Sequence, residues 1–161
     1  MGTGIGIVAS RVAGLKVDFV DPSADSLKKS EKFIQKWCLK EIEKGRMQQA
    51  DLDSVMGNIS FAQELKSLNH ADFVVEAASE DFELKRRIFT ELAKTTPDHA
   101  ILASNTSSIS ISKIAGVIPA RAHQVIGMHF MNPVPVMQLV EVIRGLQTTD
   151  ETHKLTLTLA D

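Results

Sequence analysis

The feature that most constrains this chain is the alternation of brief apolar runs with longer segments of helical periodicity. Leu15 to Val20, interrupted at Lys16 and Asp18, ends at Asp21-Pro22. Phe73-Val74-Val75, Ala100 to Ala103, Val125 to Phe130 and Gln138 to Ile143 are further strand candidates, with Ile59-Ser60-Phe61 a shorter one. Between them the spacing predicts helices over Gly4 to Ala13, from Ser23 or Asp25 through Lys44, Asp51 to Met56, Phe82 to Thr95 and Ile109 to Val117. Thr148 or Thr149 caps a last one. Gly14 and Gly45 stand where helices stop. In the long second helix, Leu27, Phe33/Ile34, Trp37/Cys38 and Ile42 form one apolar stripe. Short apolar strands separated by helices predict a parallel sheet covered on both faces, a doubly wound α/β domain.

Composition narrows the function classes. The chain has 161 residues, 43% hydrophobic and 24% charged, with a formal charge of −2. No basic field draws it to nucleic acid or anionic lipid. No apolar run approaches the ~20 residues of a membrane helix. A single cysteine, Cys38, excludes an intrachain disulfide and a cysteine-based zinc site, and points to a reducing intracellular compartment: cytoplasm, peroxisome or mitochondrial matrix.

Ligands of such sheets bind beyond the carboxyl ends of the strands. Four strands deliver polar residues there: Asp21; Glu76 and Glu80; Ser104-Asn105-Thr106-Ser107-Ser108; and His129 with Asn132-Pro133. Gly2-x-Gly4 at a helix start reads as the back half of a dinucleotide-binding glycine loop, or as small packing residues. Asp21, at the end of the following strand, suits an acid gripping the adenine ribose of NAD, or a turn residue before Pro22. The hydroxyl cluster 104–108 is expected to cap the helix from Ile109; no G-x-S-x-G elbow marks a nucleophile. Lys28, Lys29, Lys32, Lys36, Lys40 and Lys44 form a solvated face or a docking surface for an anionic substrate tail.

Glu141 interrupts Leu139-Val140-Glu141-Val142-Ile143, where an apolar residue is expected. Buried alone, a carboxylate there costs several kcal/mol, so a partner is expected. His129 ends the preceding strand, and the short Pro-bearing loop Asn132 to Pro135 can bring the two strands together. A His–carboxylate dyad, with His129 as general base, is one reading. The other leaves Glu141 solvated on an edge strand and His129 structural.

These residues together resemble the NAD-binding domain of L-3-hydroxyacyl-CoA dehydrogenases, in particular the 3-hydroxybutyryl-CoA dehydrogenase type. The resemblance runs through Met1-Gly2-Thr3-Gly4-Ile5, Val20-Asp21, Val74-Val75-Glu76-Ala77 with Glu80, Ala103 to Ser108, and Gly127-Met128-His129-Phe130-Met131-Asn132-Pro133-Val134-Pro135-Val136-Met137 into Leu139 to Gly145. It implies reversible NAD-dependent oxidation of 3-hydroxyacyl-CoA to 3-oxoacyl-CoA in fatty-acid β-oxidation or short-chain acyl-CoA metabolism. By the resemblance His129 is the general base, Glu141 orients it, and Ser107 hydrogen-bonds the reacting oxygen. Gly2, Asp21, Ala77, Glu80, Lys85, Asn105, Ser107 and Asn132 are then the NAD-binding positions. Lys44 contacts the CoA part of the substrate, and a neighbouring CoA-contact position falls on Trp37, a departure from the family.

The resemblance also implies a Rossmann-like domain over residues 1–161 that is incomplete at both ends. It lacks the family's first strand and its helical C-terminal domain, through which full-length members form homodimers. The sheet is then expected to show a gap or an unpaired edge between the strand ending at Asp21 and the one ending at Ala103. An alternative function is a catalytically inactive binding or interaction protein on the same fold. No nucleic-acid or membrane partner is expected.

Overall fold

The computed structural model describes all 161 residues, Met1–Asp161. They divide into two compact units: Thr3–Ser67 with Met1 and Pro133–Pro135, and Leu68–Asn132 with Gly2 and Val136–Asp161.

The first unit holds α1 (Gly2–Arg11), β1 (Val17–Val20), α2 (Ala24–Glu43), α3 (Gln49–Gly57) and β2 (Ile59–Ala62). β1 and β2 pair in parallel, with Val17 opposite Ile59 and Val20 opposite Ala62. Of the two expected caps it is Ser23 that begins α2, accepting from the Ser26 amide at 3.2 Å. The helix ends in a Schellman motif: Arg46 N–H reaches Glu41 O and Gly45 N–H reaches Ile42 O, both at 2.9 Å. Gly45 sits there at φ 69°, a conformation that suits glycine. The expected stripe is buried at Leu27, Ile34 and Cys38, but Phe33 faces solvent and Glu41 takes a buried place.

The core of this unit is Ile7, Ile34, Cys38, Met47 and Val55, with Phe19, Trp37 and Phe61 packed against it. Phe19 and Phe61 stack with centroids 5.5 Å apart. Gly6 makes room for that stack, since a Cβ there would stand 2.1 Å from Phe19 Cζ.

The second unit holds β3 (Phe73–Glu76), α4 (Phe82–Thr95), β4 (Ile101–Ser104), α5 (Ile111–Ala115), β5 (Val125–Phe130), β6 (Val140–Arg144) and α6 (Asp150–Ala160). Two short 3-10 helices, Leu65–Leu68 and Pro119–Gln124, had no counterpart in the sequence reading. The strands form one sheet in the order β3-β4-β5-β6. Helical crossovers make β3–β4 and β4–β5 parallel. The β5–β6 pair departs from the expected parallel arrangement and runs antiparallel. Its connection, Met131 to Leu139, contains no helix and is too short for a crossover. β4 is buried at every residue, and Phe89, Leu92, Ile111, Ile114, Val125 and Ile126 complete this core.

The expected gap or unpaired edge is found in part: β1-β2 and β3-β4-β5-β6 are separate ladders, with β1 and β3 each at an end, but the second strand named for it needs correction. The strand that was to end at Ala103 is β4, paired on both sides, and it runs on to Ser104. The crossover through α4 lays β4 beside β3, so the outer strands of this sheet are β3 and β6. β1 has β2 as its one ladder partner.

Arg121 ties the end of α4 to the 3-10 helix before β5. Its guanidinium is buried and donates to the carbonyls of Ala93, Thr96, Pro97 and Ala100, to Thr96 Oγ1, and to Gln124 Oε1. Of these, Ala93 O and Thr96 O are acceptors that the end of α4 leaves open. No helix is long and apolar enough to cross a membrane.

Candidate active site

β5 and β6 bring the two central residues together. His129 and Glu141 are cross-strand partners in the antiparallel ladder, so both side chains project on one face. His129 Nδ1 lies 2.8 Å from Glu141 Oε2. A carboxylate accepts only, so Nδ1 carries the proton and Nε2 presents its lone pair. The pairing arises differently from the expectation. Glu141 is not buried in an apolar run; its side chain is 52% exposed on the outer strand. Desolvation does not force the partnership here. Strand register supplies it, and Glu141 is both solvated and paired.

The loops after β3 and β4 meet through Glu80. Its Oε1 accepts from the Thr106 hydroxyl, and from the Ser107 N–H, Ser108 N–H and Ser108 Oγ, each of these three at 3.0 Å. Ser107 Oγ lies 3.4 Å away. Partial burial opposes ionisation of Glu80, but these donors outweigh it and bring its pKa down to about 2. The hydroxyl cluster therefore does something other than the expected capping. α5 starts at Ile111, capped by Ser110, while Thr106 and Ser108 turn toward Glu80. Thr106 Oγ1 also accepts from Ile109 N–H at 3.0 Å, closing the loop on itself.

Below this loop lies a buried ion pair that sequence reasoning missed. Lys85 is fully buried, and its Nζ sits 2.8 and 2.9 Å from the two oxygens of Glu76. Ser104 Oγ donates to Glu76 Oε2 at 2.7 Å, and Ala78 N–H donates to Glu76 Oε1 at 2.7 Å. A lysine on an amphipathic helix reads as solvated; only its Glu76 partner, on the preceding strand, reveals otherwise. Asn105 Oδ1 accepts from Phe130 N–H at 2.8 Å and so ties the ends of β4 and β5 together. Ala77 is half-buried and Asn132 is exposed.

In the first unit Asp21 follows β1. Its N–H reaches Ala62 O at 3.2 Å and its Oδ1 accepts from Ser23 N–H at 2.8 Å, so it also shapes the turn at Pro22. Lys44 is exposed and bonded to Glu41 at 2.8 Å. That contact and Arg46 hold the Glu41 carboxyl below its usual range, the Lys44 hydrogen bond most of all. Trp37 lies under the Arg11 guanidinium, 5.2 Å from the ring centroid.

Each unit by itself carries positions whose chemistry suits part of a dinucleotide. α1 opens on Gly2-Thr3-Gly4 with no acidic residue in its first turn and no side-chain cap, so its leading N–H groups suit an anion. Asp21, Ala77, Asn105 and Asn132 all follow strand ends, the positions where such sheets bind ligands.

The model of the 3-hydroxyacyl-CoA dehydrogenase NAD-binding domain matches residues 1–161. The chain belongs to that family. A probable 3-hydroxybutyryl-CoA dehydrogenase of Bacillus subtilis is 44% identical over the whole chain, which covers 55% of that relative. The 3-hydroxyadipyl-CoA dehydrogenase of Escherichia coli is 38% identical over 94% of this chain and 31% of its own length. The crystal structure of a (S)-3-hydroxybutyryl-CoA dehydrogenase from Ralstonia eutropha superposes with a TM-score of 0.95 at 42% identity, covering 99% of this chain and 56% of that one. The chain thus spans about half the length of the curated 3-hydroxybutyryl-CoA dehydrogenases it matches. Its fold is the Rossmann-like α/β fold of the 3-hydroxyacyl-CoA dehydrogenases.

Proposed function

We propose that this chain forms the nucleotide-binding domain, over residues 1–161, of an enzyme that reversibly oxidises L-3-hydroxyacyl-CoA to 3-oxoacyl-CoA. The observation that carries the reading is the 2.8 Å bond between His129 Nδ1 and Glu141 Oε2. It leaves Nε2 with a free lone pair to take a proton. In the oxidative direction Nε2 accepts the proton of the substrate 3-hydroxyl, and Glu141 stabilises the imidazolium that results. In reverse the imidazolium returns that proton to the 3-oxo group. Ser107, exposed on its loop, hydrogen-bonds the reacting oxygen and holds it toward His129. NAD, when bound, would supply the hydride acceptor for C3 of the substrate.

Asp21 is the residue proposed to hold the adenosine ribose, and its charge disfavours a 2′-phosphate there. Gly2 and the start of α1 face the pyrophosphate; Ala77, Glu80, Lys85, Asn105 and Asn132 complete the cofactor side. Lys44 is the candidate contact for the CoA part of the substrate. The expected partners are the acyl-CoA substrate and, in the whole protein, a second copy; nucleic acid and membrane are not among them. The relatives' names support the acyl-CoA class. The pathway, fatty-acid β-oxidation or short-chain acyl-CoA metabolism, follows from that class.

Calorimetry with NAD and absorbance at the NADH band with acetoacetyl-CoA test this reading. One-to-one NAD binding with NADH-linked turnover is the expected result. Absence of both would leave a non-catalytic binding protein on the same fold.

A further inference from the structure

The second unit contains more fixed charge than its fold requires. Replacing a buried ion pair by apolar side chains of similar volume is commonly neutral or stabilising. Glu76 and Lys85 are therefore poorly explained as a source of stability. What they supply that hydrocarbon cannot is placement. The Lys85 ammonium touches both Glu76 oxygens, lies 3.7 Å from Glu80 Oε2 and 3.5 Å from Ala78 O. One cation thus stands between two carboxylates that would otherwise repel each other. The residue between them is held from both sides, with Ala78 N–H on Glu76 and Ala78 O facing Lys85. Beyond Glu80, the other oxygen of the same carboxylate gathers the amides of Ser107 and Ser108.

We propose that Lys85, anchored by Glu76, is a positioning residue that sets Glu80 against the Thr106–Ser108 loop and thereby fixes Ser107. Lys85 acts on the loop through Glu80, whose Oε2 it faces at 3.7 Å. Glu76 is the second member of the device, with Ser104 as its support from β4. The consequence for NAD rests on the dehydrogenase reading above; the consequence for the loop does not.

Amide NMR of the cofactor-free chain tests this without any turnover. The double variant Lys85→Met with Glu76→Gln removes both buried charges together, which avoids leaving either one unpaired. The Ser107 and Ser108 amide resonances are expected to move well beyond the general change across the second unit, toward those of Glu80→Gln. Unchanged Ser107 and Ser108 resonances overturn the proposal. The reciprocal arm uses Glu80→Gln, which alters a partly exposed side chain and keeps the fold. There the slowly exchanging Lys85 ammonium signal is expected to shift, and an unmoved signal overturns the proposal even if the double variant does not fold. NAD titration is a third arm: the double variant is expected to bind about tenfold more weakly, the scale of effect seen when supporting residues around a bound group are lost. If the native chain binds no NAD, the dehydrogenase reading fails while the two NMR arms still decide this one.

Discussion

His129 and Glu141 face each other across the antiparallel β5–β6 pair, joined at 2.8 Å through Nδ1 and Oε2. The bond depends on register, because shifting β6 by one residue would send Glu141 to the opposite face. Glu141→Gln keeps the shape but can present an amide to Nδ1, which no longer favours the productive tautomer or the imidazolium. The expected outcome is a fall in kcat of about 10²-fold with KM little changed. Steady-state kinetics at the NADH band checks it; a fall in KM alone would contradict the assigned role.

Glu80 makes stability depend on acid. Its folded pKa of about 2 lies below the ordinary value of 4.5, so its ionised form contributes fully above that ordinary value. The contribution is lost as pH falls from about 4.5 toward 2. Glu80→Gln is expected to melt at lower temperature than the native chain near neutral pH, by the equivalent of about 1–2 kcal/mol after allowance for its exposure. The gap should narrow as pH falls below about 4.5 and close near pH 2. Thermal melts across pH measure it; a gap that stays constant down to about pH 2 contradicts the cause given.

Much of this was legible in local pattern. The span of α4, the limits of β5, the Thr149 cap of α6 and the polar residues at strand ends all follow from neighbours along the chain. The hidden features involve partners distant in sequence. The exposure of Glu141 depends on whether β6 has a further neighbour, which its own residues do not encode. The burial of Lys85 depends on Glu76 below it, and the place of the hydroxyl cluster depends on Glu80 some 27 residues away. Helix periodicity placed Phe33 in the α2 stripe, yet Glu41, paired locally with Lys44 and Arg46, is the residue that is buried.

Gly6 and Phe19 offer a packing test in the first unit. Gly6→Ala would place a methyl 2.1 Å from Phe19 Cζ. Overpacking of this kind is expected to cost about 1–3 kcal/mol. The double variant with Phe19→Leu should recover part of that loss in denaturant melts. No recovery would mean that the strain lies elsewhere.

Arg121 offers the matching test in the second unit. Arg121→Met removes the guanidinium donors from the carbonyls of Ala93, Thr96, Pro97 and Ala100, of which Pro97 O keeps the Ala100 N–H. The expected loss is on the order of 3–5 kcal/mol, with Arg121→Lys intermediate because an ammonium cannot span the same fan of acceptors. Urea unfolding measures both; a lysine variant as stable as the native chain would contradict the fork geometry as the cause.

The central claim is that His129 moves the substrate proton, and His129→Gln tests it most directly. NAD affinity by calorimetry and acetoacetyl-CoA reduction by NADH absorbance are measured on the same samples. NAD binding is expected within about twofold of native, with a rate lower by about 10²–10⁴. An unchanged rate with intact NAD binding would contradict it.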